Sequence, residues 1–85
     1  MSHVPHELHE EFPDAADILH KLKLGDAHFA RLAERHHEIN REIHRIESGV
    51  EAASDERTEA LKKERLSILD QVTAIIADAR REATA

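Results

Sequence analysis

The sequence predicts an all-α protein: an antiparallel, coiled-coil-like helical hairpin with an additional short N-terminal helix, assembling into a helical bundle. Three observations predict it. Apolar side chains recur at heptad spacing between Phe29 and Val50. A single Ser- and Gly-bearing break separates that stretch from a second amphipathic one. Helix-favouring residues dominate a chain with only two glycines, two prolines and two phenylalanines as its aromatics. Charged residues make up 35% of the chain, a level that without periodicity would read as disorder. The periodicity decides for helices.

The first element is a helix over residues 1–24. Leu8, Phe12, Ala15, Leu19 and Leu22 step by 4, 3, 4 and 3, and Pro5 and Pro13 suit first-turn positions. Continued through Asp26 to Phe29 and Leu32, the steps lose register, so the next helix is separate and hinged at Gly25. That second helix covers 26–48, with Asp26 placed to cap its first free N–H groups. Its seam of Phe29, Leu32, His36, Ile39, Ile43, Ile46 and Val50 steps 3, 4, 3, 4, 3, 4. Glu38 with Arg41, and Glu42 with Arg45, are spaced to pair along its solvent face. Ser48-Gly49 closes it, 49–55 forms the turn, and Ser54 or Asp55 caps a third helix over 56–82. On that helix Leu61, Ile68, Leu69, Val72, Ile75, Ile76 and Ala79 span an arc of roughly 120°, with Leu66 outside it. A stripe so wide needs more than one neighbour.

A turn this short makes the two long helices antiparallel. Folding about its midpoint sets Ile46 near Thr58, Ile43 near Leu61, His36 near Ile68 and Leu32 near Val72, with Arg65 facing Ile39 and carrying its charge to the rim. The expected core of this single domain (1–85) is Phe29, Leu32, His36, Ile39, Ile43, Ile46, Leu61, Ile68, Val72 and Ile75. One hairpin buries only part of each stripe. The expected remedy is self-association into a homodimer or small homo-oligomer, with Leu8, Phe12, Leu19 and Leu22 available to a partner or to exchange between subunits.

Asp26-Ala27-His28-Phe29-Ala30-Arg31-Leu32, followed by His37-Glu38-Ile39-Asn40-Arg41-Glu42-Ile43-His44-Arg45-Ile46-Glu47, resembles the YdcH family of short bacterial proteins. Pro5 to Pro13 (Pro-His-Glu-Leu-His-Glu-Glu-Phe-Pro) and Leu61-Lys62-Lys63-Glu64-Arg65-Leu66 with Asp70 are similar to the same family. Two positions depart from its pattern: His36 stands where relatives often carry an aromatic, and Leu69 where they often carry lysine. The resemblance implies a helical, cytoplasmic protein of unknown function, and it supplies no catalytic residues.

The candidate sites are the histidines. Eight of them would take the formal charge from −6 to −6 + 8 = +2 on full protonation. His6, His9 and Glu10 are the nearest thing to a metal-ligand set, but no His-x-x-x-His pair occurs and three or four converging ligands are needed. The expected metal and cofactor content is none. His36 differs because it occupies the seam: the plain expectation is an interfacial histidine satisfied by a neighbouring carboxylate or water, the sharper one a switch in which protonation near pH 6 places charge in the interface and loosens it. Every third of the chain carries more acids than bases, which argues against nucleic acid and against a basic membrane-surface helix. No glycine-rich phosphate loop or nucleophile-and-base constellation is legible, so no enzyme is expected. With neither a membrane-length apolar run nor a signal-peptide pattern, the expected location is the cytoplasm. The expected function is a non-enzymatic adaptor, scaffold or regulatory subunit acting through helix packing on itself and on another protein. The competing reading is a metal- or pH-responsive protein acting through its histidines.

Overall fold

The computed structural model describes residues 7–84, and every regular element among them is helical. Where one N-terminal helix was expected, there are two. α1 (Leu8–Glu11) is a single turn, a 3₁₀ turn covers Pro13–Ala15, and α2 runs over Ala16–Gly25. Pro13 is the cause. Its ring pushes the preceding residue out of helical geometry, and Phe12 accordingly sits at φ −129°, ψ 64°, after which the chain restarts with Pro13 in a first-turn position.

α3 spans Ala27–Glu47 and α4 spans Asp55–Thr84. The residue that leaves helical geometry between α2 and α3 is Asp26 (φ −129°, ψ 105°), while Gly25, expected as the hinge, is the last residue of α2. The Asp26 carboxylate accepts the Phe29 N–H at 3.0 Å, the expected cap. At the other end of α3 the N–H of Gly49 donates to Ile46 O at 3.2 Å and that of Val50 to Arg45 O at 3.0 Å. This is a Schellman closure, with Gly49 at φ +81°. Ser54 Oγ accepts the Arg57 N–H at 3.1 Å to start α4, and Asp55 and Glu56 add negative charge to its first turn.

α3 and α4 pack as the expected hairpin. Arg57 meets Glu42 at 2.7 Å, and Arg35 meets Glu64 through Nε at 2.7 Å and Nη2 at 2.9 Å. From one pair to the other the step is seven residues down α3 and seven up α4, an antiparallel heptad register. The side-chain pairs expected along α3 alone are rearranged by this neighbour: Glu42 crosses to Arg57, Arg45 binds Glu51, and Glu38 takes Arg35.

Phe29, His36, Ile39, Ile43, Leu61, Ile68 and Val72 are buried as expected, and Leu32, Ile46 and Ile75 flank them half-buried. Val50 is corrected: it is 76% exposed, because the last step of the seam falls in the closing turn. The N-terminal segment folds back in cis. Ala15 and Leu19 join the core, and Leu8, Phe12, Ile18 and Leu22 pack against it, so the expected partner residues serve the chain's own interior. α2 lies against α3 and also touches α4, giving three layers over that half of the hairpin. This second neighbour explains the burial of Ala33, one position beyond the Leu32 step of the seam, while the equally buried Asn40, one beyond Ile39, meets Arg65 of α4. At about 1.5 Å per residue, the 30 residues of α4 account for the 48 Å length of the molecule.

The two glycines make opposite demands. A Cβ at either meets nothing within 4 Å, so only backbone geometry distinguishes them. Gly49→Ala is expected to cost about 1 kcal/mol by urea denaturation, and Gly25→Ala to gain about 0.5 kcal/mol.

Candidate functional site

His36 stands at the centre of the molecule. The α3 seam turns it inward, α4 faces it through Arg65, and the N-terminal segment brings Glu7 and Glu11 towards it. The side chain is fully buried, and neither ring nitrogen has a hydrogen-bond partner among the described residues. An imidazole in that setting forfeits about 1–3 kcal/mol of lost hydration. Burial pushes its pKa below the ordinary value of 6.5. The Glu7 and Glu11 carboxylates pull it upward and the Arg65 and His37 charges downward, and desolvation prevails. The neutral ring is the resident species at pH 7.

One turn further along α3, Asn40 is also buried, and its Oδ1 accepts a hydrogen bond from Arg65 Nη1 at 3.1 Å. Arg65 therefore does not simply reach the rim past Ile39: half-buried, it supplies a donor to the interior. His36, Asn40 and Arg65 together form a polar layer beside Ile39, in the stretch of the seam between the buried Phe29 and Ile43 of α3. Sequence reasoning found His36 and noticed Arg65 but passed over Asn40, whose only signal is its place at the edge of the seam.

His37, next along the helix, turns outward. Its Nδ1 lies 3.2 Å from Glu7 Oε1 and ties the start of α1 to the middle of α3. Beside this contact is a groove of about 470 Å³, with Leu19, Phe29 and Ala33 in its floor and His20, Glu34 and His37 on its rim. Of the metal candidates, His6 lies outside the described residues, and His9 sits 4.0 Å from its neighbour Glu10. Among the described residues no group of three or more His, Cys, Asp or Glu side chains is arranged to hold a metal ion. No described helix is long and apolar enough to cross a membrane.

A family model described as "Protein of unknown function (DUF465)" matches residues 29–76, more than half of the chain. The chain belongs to this family. The DUF465 match begins at Phe29 and ends at Ile76, so it takes in the hairpin, the polar layer and the turn, while α1 and α2 precede it. No curated protein and no solved structure matches this DUF465 chain.

Because the folded pKa of His36 is depressed, the unfolded chain takes up a proton that the folded chain refuses. Stability contributed by this residue is intact above about pH 7.5. It falls by up to about 1.4 kcal/mol per pH unit as pH drops below 6.5. His36→Leu is expected to flatten that part of the slope and to raise stability at pH 7 by about 1–2 kcal/mol, measured by thermal melting from pH 5 to 8. Equal slopes in the two proteins contradict the assignment.

Proposed function

We propose that this protein is a non-enzymatic helical interaction module, an adaptor, scaffold or regulatory subunit of the bacterial cytoplasm, and that it is a member of the YdcH type within its family. The observation that supports it most is the uncovered flank of α4. Leu69 is half-buried and Leu66 is 60% exposed, and on the helical wheel they continue the buried arc beyond what α3 covers. Leu69 is also one of the two positions where the chain departs from the YdcH pattern.

The first occupant of that flank is a second copy of the chain. Lys62, Leu66 and Asp70 follow one another at intervals of four along α4. Two α4 helices laid antiparallel about Leu66 therefore set each Lys62 against the other's Asp70, a self-complementary arrangement that a two-fold dimer requires. The acidic balance of the chain favours protein partners over nucleic acid.

A second reading is favoured by His36. A fully buried imidazole with no hydrogen-bond partner among the described residues couples the packing of the bundle to proton concentration, which suits a pH-responsive module. The metal-responsive version draws no comparable support from the described side chains.

Sedimentation velocity at micromolar concentration tests the interaction reading. A dimer is expected for the wild type, and Leu66→Glu is expected to shift it to monomer, a weakening of at least about tenfold for a charge placed in an apolar contact, with helical content unchanged. A wild type that sediments as a folded monomer overturns the α4 contact.

A further inference from the structure

We infer that the N-terminal segment, α1 through α2, is an exchangeable arm: by converting Asp26 to helical geometry it fuses α2 to α3 and packs on the same face of the hairpin of a second copy of this chain. The inference goes beyond the α4 contact and does not depend on it. Its occupant is the segment that already fills the site in cis, so the complementarity between two copies is that of the folded chain itself.

The hinge carries the argument. α2 ends at Gly25 and α3 begins at Ala27, so a single residue separates 10 helical residues from 21. Both sides of the break are already close to a continuous ladder. Asp26 donates its N–H to Leu22 O at 2.9 Å and accepts the Ala30 N–H at 2.9 Å, both the four-residue bonds of an α-helix. What the break removes is the backbone pairing of the first α3 amides, and the Asp26 carboxylate substitutes for one of those by capping Phe29.

The face matters equally. In a fused helix Ile18, Leu19 and Leu22 fall within an arc of about 100° that contains Phe29. The arm's apolar side would then continue the side on which α3 carries Phe29 and Ala33, instead of being thrown to solvent. A short hinge joining two segments that share a face is the geometry from which domain exchange arises.

The chain has no cysteine, so an engineered pair reports the connection unambiguously. Glu7 and His37 meet at 3.2 Å between arm and hairpin. Glu7→Cys/His37→Cys is treated after folding with a short bis-maleimide that spans the two shortened side chains, at micromolar and at millimolar concentration, and run on a denaturing gel. A cis arm gives a cross-linked monomer and an exchanged arm a covalent dimer. The same pair is then placed on Asp26→Ala, which removes the cap and favours the fused helix by about tenfold per hinge. Covalent dimer is expected to appear at the higher concentration and to become the main product with Asp26→Ala. Each single cysteine variant is expected to give far less. Cross-linked monomer alone in every case, or equal dimer from the single variants, overturns the inference. Should the cysteine pair prevent folding, sedimentation of Asp26→Ala on the Leu66→Glu background decides. There the α4 contact is disabled, so a dimer supports exchange and a folded monomer refutes it.

Discussion

A helix with apolar residues only at heptad seam positions is satisfied by one neighbour, whereas α3 also buries Ala33 and so requires two. Its placement between α4 and the N-terminal segment is the constraint on which the other features rest. It brings Glu7 and Glu11 close to His36, closes the core over Phe29 and Val72, and makes the polar layer an interior feature instead of a surface one. Beyond the reach of α1 and α2, the turn end of the hairpin is only two helices thick. There Ile46 is half-buried and Val50 exposed.

Charge aligns this arrangement more than it stabilises it. Arg35–Glu64 and Arg57–Glu42 are partly solvated cross-helix pairs, the kind whose net stabilisation is small. The hydrogen bonds that Arg35 donates and Glu64 accepts hold the Glu64 carboxyl below its ordinary pKa and the Arg35 guanidinium above its own. With Arg35–Glu64 bidentate and Arg57–Glu42 one heptad away, such pairs penalise a slipped register, in which like charges would oppose one another.

The polar layer acts on register from within. A polar residue at a seam position sacrifices stability and, in coiled coils, selects one alignment and one number of strands. Here Asn40 is met by Arg65, so part of the layer is satisfied. His36 has no hydrogen-bond partner among the described residues, and its burial holds its pKa below the ordinary value. An aromatic side chain at that position would fill the same space without a titratable ring.

The sequence by itself determined the three main helices, the turn between α3 and α4, the caps at Asp26 and Ser54, the closure at Gly49 and most of the seam. Each of these is set by residues within a turn or two of one another. It also contained the break at Pro13, whose effect on Phe12 is local and which was read as a helix start without the consequence for the helix before it. Tertiary structure alone decided the rest: that the arm folds in cis, that Asn40 and Ala33 are buried, that Glu42 chooses Arg57 over Arg45, and that no described residue hydrogen-bonds the His36 ring. Those outcomes depend on which element lies alongside, and a heptad pattern states that a face must be covered without stating by what.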